Sequence, residues 1–335
     1  SVPTEGIITT KDLDKLIYEI AAAFTGSHHD YSRLASSVAI SSYHKETDPS
    51  FSNTMHTLHV DGIVSNDLME IVESYGPDKI DEVINHDNDY NFDYFAWRSL
   101  AEMYLLKLPD GKVVERPQHM YMRVALWVTN TFEEAMEYYQ ALSTQRISPA
   151  TPIMINAGTK VPQLASCVLH YNDSDSREGL LNTMRDISTY SSDAAGIGLS
   201  MSNIRSKESR ISSSGGYAGG LLKYLKIVNE SLRFFNQQGR RPGSAAIYLE
   251  PWHKDIFDLL DIKKNTGAEE LRARDLFTAL WIPDNFMNAV KNNDDWYLFC
   301  PNDIIKAGIK PLQESYGDEY EENYKLAVSM GLGKK

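Results

Sequence analysis

The chain contains only two cysteines, Cys167 and Cys300, and a thiol is the most reactive ordinary side chain it offers. Cys167 follows Ser166 in the segment QLASCVLHYNDSDS, just ahead of an apolar run and an Asp/Ser cluster. A thiolate can act as a nucleophile or a reductant, but an unpaired cysteine is more often a small buried hydrophobe. The residues alone therefore favour packing for both cysteines and leave a redox role for Cys167 open.

Two polar segments offer groups that suit a phosphorylated or sugar-containing ligand. The loop NQQGRRPG at residues 236–243 carries Asn, Gln and two Arg between glycines. The planar guanidinium groups of arginine can bind phosphates and the edges of bases, so this loop could bind such a ligand. An ordinary solvent-exposed turn is an equally good interpretation. Asp175 and Ser176 lie where a predicted strand ends and a helix begins. Capping that helix is the favoured role for these two residues, and gripping a sugar hydroxyl is compatible with it.

Several common catalytic motifs are missing from the sequence. The segment AAGIGLSMS resembles a dinucleotide fingerprint, but Met201 occupies the third glycine position and the glycines open a strand instead of following one. Neither a phosphate-binding G-x-x-x-x-G-K-[ST] loop nor a G-x-S-x-G elbow is found. No Cys/His cluster has metal-ligand spacing, and the adjacent His28 and His29 are expected to be solvated. We therefore expect no metal site.

Composition narrows the class of protein. With 335 residues the chain is long enough for about two domains, and 42% hydrophobic and 24% charged residues are ordinary for a globular protein. A formal charge of −13 argues against nucleic acid or an anionic membrane as the main partner. The sequence has no long apolar span and no leader peptide, and two cysteines suit a reducing compartment, so we expect a cytoplasmic protein.

The pattern of apolar residues changes near residue 147. Residues 1–147 predict a helical domain, with helices at 11–24, 30–45, 65–76, 117–128 and 132–146. Asn66 is a possible cap for the third of these, and Thr131 with Glu134 resembles a capping box. In residues 148–335, helices alternate with five predicted strands at 166–171, 196–205, 244–253, 276–284 and 296–301. Such alternation favours a parallel sheet with right-handed crossovers, and the residues after Pro301 look like a polar tail.

Long strings of the sequence resemble a known family. RPQHMYMRVALWV, PATPIMINAGT, LASCVLHYNDSDSREG, AGIGLSMSNIR, the stretch from RRPGSAAIYLEPWH to LFTALWIPD, and WYLFCPND are similar to the large, catalytic subunit of class I ribonucleotide reductase. The resemblance covers essentially the whole chain. It implies an α/β protein with an N-terminal helical domain (1–147), followed by the first half, five strands, of a ten-stranded α/β barrel (148–335).

The resemblance also implies roles for individual residues. Cys167 matches the redox cysteine that supplies one of the two thiols that reduce the substrate. The positions that match the substrate site are Thr151, Ser166, Ala195 and Gly196. Those that match the effector site are Asp175, Ser176, Arg205, Ile211, Asn236 and Gln237. In the family, a specificity loop communicates the identity of the bound effector to the site that holds the substrate base. The positions that match this loop are Gln238, Gly239, Arg240 and Arg241.

Partners and cofactors follow from the same resemblance. The chain itself is expected to bind no cofactor, and a deoxynucleoside triphosphate or ATP is the expected effector. The family further implies a small subunit with a diiron or dimanganese radical cofactor, a thioredoxin- or glutaredoxin-type reductant, and no nucleic acid or membrane. A homodimer is expected through the helix at 219–236. The apolar stripe predicted to face the second copy comprises Leu221, Leu222, Leu225, Val228, Leu232 and Phe235, although burial within one subunit is the alternative.

The sequence departs from the family pattern in what it lacks. It has no N-x-C-x-E pattern for the radical cysteine, no second matching thiol and no ATP cone. We expect a second chain to carry the rest of the barrel, as in a split gene. A part of a longer chain and a degenerate remnant remain alternatives. A second functional hypothesis is a catalytically inactive nucleotide-binding module that regulates or scaffolds.

Overall fold

The computed structural model describes residues 8–161, 163–236, 239 and 242–335, and two units meet at the bond between Ala165 and Ser166. The first is helical and the second contains a parallel sheet flanked by helices, which confirms the predicted fold class. In the described ranges no helix is long and apolar enough to cross a membrane.

Helices supply nearly all the regular structure of the first unit. The helix that begins at Asp30 ends within one residue of its predicted end, because its apolar period is uninterrupted. The α-helices in the described part of this unit are α1 (Thr10–Ala23), α2 (Asp30–Glu46), α3 (Phe51–Val60), α4 (Asn66–Tyr75), α5 (Pro77–Val83), α6 (Tyr94–Ser99), α7 (Pro117–Val128), α8 (Phe132–Ser143) and α9 (Thr151–Asn156). A 3₁₀ helix spans His86–Asn91, and a π-helical turn spans Leu100–Tyr104.

Side-chain caps fix the starts of several of these helices. The Thr131 hydroxyl accepts a hydrogen bond from Glu134 N at 3.2 Å, as its motif predicts. The prediction that Asn66 caps α4 is wrong. Ser65 has an extended backbone conformation, so its hydroxyl reaches Leu68 N at 3.2 Å, whereas Asn66 is already helical. The cap therefore lies one residue earlier than predicted.

Arg123 of α7 forms a fully buried ion pair and also holds the end of α9. Arg123 Nε donates to Glu115 Oε1 at 2.7 Å, and neither side chain is exposed. The Arg123 guanidinium also donates to the carbonyl oxygens of Met154 and Ala157 at 2.9 and 2.5 Å. These bonds hold the end of α9 in the helical core. The observed boundary accordingly falls after Ala165, whereas the prediction placed it after residue 147.

The second unit is built on four parallel strands in the order β1-β2-β3-β4. They are β1 (Cys167–Tyr171), β2 (Gly196–Ser200), β3 (Ala245–Leu249) and β4 (Phe277–Leu280). The helices of this unit are α10 (Arg177–Ser192), α11 (Leu221–Phe234), α12 (Ile256–Asp261), α13 (Asp284–Asn292), α14 (Pro301–Lys306) and α15 (Gly317–Ser329). Helices α10, α11 and α12 lie between successive strands, as parallel pairing requires.

The two faces of the sheet differ in burial. Leu199 and Ile247 belong to a buried cluster with Leu225 and Val228 of α11. Alternate residues of β1 point the other way, and Leu169 on that face is 84% exposed. Because side chains alternate along a strand, Cys167 shares this open face with Leu169.

Two predictions about the end of the chain are wrong. The fifth predicted strand, 296–301, does not join the sheet formed by the described residues. Phe299 makes a single parallel bridge to His253 and Leu298 a single antiparallel bridge to Lys334. The residues after Pro301 are also no loose polar tail. Tyr320, Tyr324 and Ala327 recur at helical spacing on α15 and bury one face in a cluster with Trp252 and Phe299. The remaining buried members of that cluster are Ile304, Ile309 and Leu312.

Candidate functional site

Cys167 and Gly196 are paired neighbours at the starts of β1 and β2. Gly196 N donates to Ser166 O at 2.7 Å, which fixes the register at this end of the sheet. A Cβ at position 196 would lie 3.7 Å from the Cys167 thiol and 3.3 Å from Ser166 O. Glycine therefore leaves the flank of the thiol open, where any side chain would cover it.

The two cysteines have opposite environments. Cys167 is exposed, as is Ser166 beside it. Cys300 is only 2% exposed and precedes α14, which agrees with the packing role predicted for it. Of the two, Cys167 is the thiol that a substrate or a reductant can reach.

The structure brings together three of the four residues expected to contact substrate. Ala195 is buried directly before β2, where its N–H donates to Tyr190 O at 2.9 Å, and it adjoins Gly196. Thr151 belongs to the first unit, where it begins α9 and its hydroxyl lies 3.2 Å from the Tyr104 hydroxyl. The other three residues belong to the second unit.

Asp175 and Arg205 form an ion pair at the carboxyl end of β1 and β2. Arg205 Nε donates to Asp175 Oδ2 at 2.5 Å, and its Nη2 donates to Asp175 O at 3.1 Å. Burial raises the pKa of the Asp175 carboxyl, and the Arg205 contacts oppose that shift. The sequence predicted both residues separately for the effector site, and the structure joins them, so Arg205 has fewer free donors than an unpaired arginine.

The loop that carries Asp175 is held from both sides. Ser176 caps α10, since its hydroxyl accepts from Gly179 N at 3.0 Å. Behind the loop, the buried Asn172 accepts from the Thr183 hydroxyl at 2.8 Å and donates to Ser174 O at 2.9 Å. Sequence reasoning missed Asn172, although an amide directly after a predicted strand is a usable signal. The cap role of Ser176 fixes where the Asp175 carboxylate lies.

A second loop, residues 207–220, contains Ile211. Ile211 N donates to Gly216 O at 2.8 Å, which closes the tip of this loop. Its two ends are joined by Asp255, whose carboxylate accepts from Lys207 N at 3.0 Å and from Leu221 N at 2.9 Å. No sequence signal marks Asp255, because its partners lie more than thirty residues earlier in the chain.

Part of the specificity loop lies outside the described residues. Asn236 is exposed, and its side-chain oxygen accepts from Gly239 N at 2.8 Å, which bridges the loop. The predicted positions outside the described ranges are Gln237, Gln238, Arg240 and Arg241.

Glu250 is a titratable group that sequence reasoning missed. It follows β3 directly, and its Oε2 accepts from the Trp252 indole N–H at 2.5 Å. Its backbone N–H donates to the Ser202 hydroxyl at 3.1 Å. Burial raises the pKa of the Glu250 carboxyl to about 7. Near neutral pH the protonated and the ionised forms of this carboxyl are therefore both populated.

The predicted contact stripe of α11 is buried within the chain itself. Five of its six members are at most 8% exposed: Leu221, Leu222, Leu225, Val228 and Leu232. They pack on β2, β3 and α10, so the stripe cannot face a second copy, and the prediction is wrong in this respect. The exposed apolar side chains of this segment are Ile227, Phe234 and Phe235, at 57%, 79% and 41% exposure.

A helical unit followed by a parallel sheet with helices between its strands defines an α/β architecture of two units. Two family models match in the same order along the chain. One, described as ribonucleotide reductase, all-alpha domain, matches residues 90–162, and the other, ribonucleotide reductase, barrel domain, matches residues 165–335. The chain belongs to the ribonucleotide reductase large-subunit family.

Its curated relatives carry the same name in distant organisms. The ribonucleoside-diphosphate reductase large subunit of Vaccinia virus (strain Copenhagen) is 44% identical over 330 residues, which cover 95% of this chain and 42% of that protein. The large subunit of Danio rerio is 42% identical over 98% of this chain and 42% of the relative. The large subunit of Arabidopsis thaliana is 40% identical over 98% of this chain and 41% of the relative. The chain thus spans about two fifths of the length of these relatives.

Proposed function

We propose that this chain forms part of a class I ribonucleoside-diphosphate reductase large subunit, in which Cys167 supplies one of the two reducing thiols. The observation that carries the proposal is the exposed Cys167 thiol beside Gly196, at the position where the family resemblance requires it. The rest of the large subunit and a radical-generating small subunit would complete the enzyme, and a metal cofactor in the small subunit would supply the radical.

The reduction balances with two thiols. A thiyl radical elsewhere in the large subunit would abstract the 3′-hydrogen and later return it. The 2′ C–O bond breaks, the hydroxyl takes a proton and leaves as water, and a C–H bond forms at the 2′-carbon. Cys167 and a second thiol together give up two electrons and two protons and join in a disulfide. A thioredoxin- or glutaredoxin-type dithiol would then reduce that disulfide.

The surroundings of Cys167 suit this role. Gly196 leaves room at the side of the thiol, and Ser166 and Ala195 flank the same pair of strand starts. In the proposed enzyme Ser166, Ala195 and Gly196 contact the ribonucleotide. A rigid, paired strand start holds the sulfur in one place, which favours a precise approach to the 2′-carbon.

Turnover of a ribonucleoside diphosphate tests the proposal. The chain is combined with the remaining part of its large subunit, the small subunit and a dithiol, with Cys167→Ala and Cys300→Ala as matched variants. We expect Cys167→Ala to lose dithiol-dependent turnover and Cys300→Ala to retain it, because only Cys167 is exposed. Normal turnover by Cys167→Ala would refute the proposed role.

We also propose that the loops around Asp175 and Ile211 bind a deoxynucleoside triphosphate effector. Asp175 offers carboxylate oxygens to a ribose hydroxyl, Arg205 adds a cation, and the 207–220 loop offers backbone N–H groups. In an acidic chain, such a local set of donors is needed to hold a triphosphate. Asn236 lies just after α11 and would report the base of the effector.

Isothermal titration with each deoxynucleoside triphosphate tests the effector site. Arg205→Ala should weaken binding by about 1.5–3 kcal/mol, the usual range for a hydrogen bond to a charged group. Arg185→Ala serves as the matched control, because Arg185 is an exposed arginine on α10. Equal affinities for wild type and Arg205→Ala would remove this site from the proposal.

A further inference from the structure

Three potential metal ligands converge in the helical unit, far along the chain from the proposed reductase residues. His44 lies in the last turn of α2, and His86 and Asp89 lie on the 3₁₀ helix His86–Asn91. One ligand atom from each of the three lies within 4.8 Å of the other two. Two imidazoles and one carboxylate are a common donor set for zinc and similar divalent ions.

The 3₁₀ conformation aligns two of these ligands. A 3₁₀ helix has three residues per turn, so the side chains of His86 and Asp89 project from the same side. The segment is fixed at its start, because Asn85 Oδ1 accepts from Asp87 N at 3.1 Å and Asn85 N donates to the Tyr139 hydroxyl at 3.0 Å. The ligand pair is therefore preorganised before any ion binds.

His86 presents an imidazole nitrogen with no partner. Its Nε2 lies 2.9 Å from Pro49 O, and because a carbonyl can only accept, Nε2 carries the proton. Nδ1 then holds a lone pair, and this buried atom has no hydrogen-bond partner among the residues the structure describes. Metal-binding histidines typically donate their second ring N–H to a backbone carbonyl in this way. An unsatisfied buried acceptor is costly, and a cation would satisfy it.

Asp89 provides a fully buried carboxylate. Its Oδ2 lies 2.8 Å from His44 Nε2, and its Oδ1 accepts from Gln118 Nε2 at 2.9 Å. The second contact orients the carboxylate from outside the cluster, as partners of metal ligands commonly do. The His44 ring remains 16% exposed, so an ion and a water molecule can reach the cluster from solvent.

We propose that His44, His86 and Asp89 bind one divalent transition-metal ion of the zinc type, with a fourth position open to water. Ligand distances of about 2.0–2.2 Å place tetrahedral ligand atoms about 3.3–3.6 Å apart. The 2.8 Å contact between His44 and Asp89 would open slightly, and His86 would move closer. His44 would bind the ion through Nε2, so the proton that Nε2 now donates to Asp89 would move to Nδ1 of the same ring.

The guanidinium of Arg116 lies near the cluster and would repel a bound metal ion, but its hydrogen bonds direct it toward other groups. Arg116 donates through Nη2 to His44 O at 2.9 Å and Thr47 O at 2.6 Å, so its guanidinium is engaged with backbone carbonyls. Asp89 contributes the opposing negative charge within the cluster. A bound ion would add to the contacts that already join the end of α2 to the 3₁₀ helix, which are the His44–Asp89 hydrogen bond and the packing of the His44 ring against the rings of His86 and Tyr90.

Metal titration of the full 335-residue chain tests the proposal. Apo protein is titrated with Zn²⁺ against a chromophoric chelator, and with Co²⁺ to record the d–d absorption of a tetrahedral nitrogen/oxygen site. The matched control removes His28 and His29 (His28→Ala with His29→Ala), an exposed His-His-Asp cluster that offers the same donor types. We expect one tight ion in wild type and in this control, and at least about 100-fold weaker binding in His86→Ala.

A stability measurement separates metal loss from misfolding. Saturating Zn²⁺ should raise the Tm of wild type and of the His28/His29 variant by on the order of 5 °C, and should leave Asp89→Asn unchanged. The circular dichroism spectra of the metal-free variants should match that of wild type. Absence of a tight ion in wild type, or its loss in the His28/His29 variant, would overturn the proposal, and neither result depends on how His86→Ala folds.

Discussion

Cys167 and Cys300 carry the same thiol group in opposite surroundings. Cys167 lies at a strand start and is exposed, whereas Cys300 is 2% exposed and directly precedes a short helix. In the native chain at pH 8, iodoacetamide should alkylate Cys167 at least about tenfold faster than Cys300, because a buried thiol reacts only after local opening. Mass spectrometry of tryptic peptides gives both rates from one sample.

Denaturant provides the control for this comparison. In guanidinium chloride the two cysteines should react at similar rates, since both are then solvated. If Cys300 reacts as fast as Cys167 under native conditions, the assignment of Cys300 to the core is wrong.

Glu250 makes stability depend on pH. Burial raises the pKa of its carboxyl from 4.5 to about 7, so the folded state holds its proton more tightly than the unfolded chain does. This contribution is fully present below pH 4.5 and is lost as pH rises through 7. Glu250→Gln keeps an acceptor for Trp252 and cannot ionise. Between pH 4.5 and 7, the free energy of unfolding of wild type should fall by on the order of 3 kcal/mol relative to that of this variant.

Urea unfolding at several pH values measures the difference. Glu270→Gln, at an exposed position, should run parallel to wild type over the same range. A stability difference between wild type and Glu250→Gln that stays constant from pH 4.5 to 8 would contradict the raised pKa.

Single residues were predictable from sequence where the signal is local. Ser176 caps α10 as the Asp/Ser pattern indicates, because a cap involves partners only three residues away. The ion pair between Asp175 and Arg205 joins residues 30 apart, so no local pattern reveals it. The His44 cluster escaped for the same reason: H-x-x-D is visible at 86–89, but its third member lies 42 residues earlier.

At the scale of elements, the loop 207–220 depends on one carboxylate. Asp255 accepts from the backbone N–H of Lys207 and of Leu221, which clamps the two ends of the loop together. Asp255→Ala leaves two donors unpaired and should cost about 2–4 kcal/mol in the free energy of unfolding. Hydrogen exchange should also show loss of protection at the Lys207 amide. Asp258→Ala, in the first turn of α12, should cost less than about 1 kcal/mol.

The position of Gly220 supports the same view of this loop. Gly220 has φ +79°, and a Cβ there would lie 2.7 Å from the Lys207 Cβ and 2.9 Å from an Asp255 carboxylate oxygen. If Asp255→Ala leaves both the unfolding free energy and the exchange pattern unchanged, the loop is held by other contacts.

Helices and strands were predicted correctly where the apolar pattern was long, and the prediction failed where the pattern was short. Helix α2 and the starts of the four sheet strands were predicted to within one residue because their apolar periods and turn residues agree. The ends of β2, β3 and β4 were predicted four or five residues too late. The segment 296–301 is equally apolar but buries Phe299 among aromatic rings of α15 in place of a strand neighbour. An apolar run reports that a segment is buried and does not report which element covers it. The stripe of α11 was misassigned to a dimer on that ground.

At the scale of the whole molecule, α11 still presents an exposed apolar surface. Ile227 and Phe234 lie seven residues apart on one helical face, and each is more than half exposed. We expect this face, and not the buried stripe, to mediate any self-association through α11. Ile227→Glu with Phe234→Glu should weaken dimerisation at least about tenfold in sedimentation velocity, because the charges would be desolvated in the contact.

The charged substitutions leave the core untouched, so folding should be unchanged by circular dichroism. Leu181→Glu, at a 63% exposed position on α10, shows whether the neighbouring helix belongs to the same contact. A wild-type chain that stays monomeric with and without nucleotide, together with the remaining part of the subunit, would argue against the dimer.

The sheet has two outer strands, β1 and β4, each paired on one side only within the described residues. Both carry a bulky apolar side chain in solvent, with Leu169 at 84% and Phe277 at 61% exposure. Unpaired backbone groups next to exposed apolar side chains are a template for adding strands from other molecules. On heating, the chain should therefore precipitate before unfolding reaches equilibrium, and its apparent Tm should fall with slower scans and rising protein concentration. Because of these two edge strands, the lifetime of the folded chain in solution is set by the rate at which edge strands of different molecules associate.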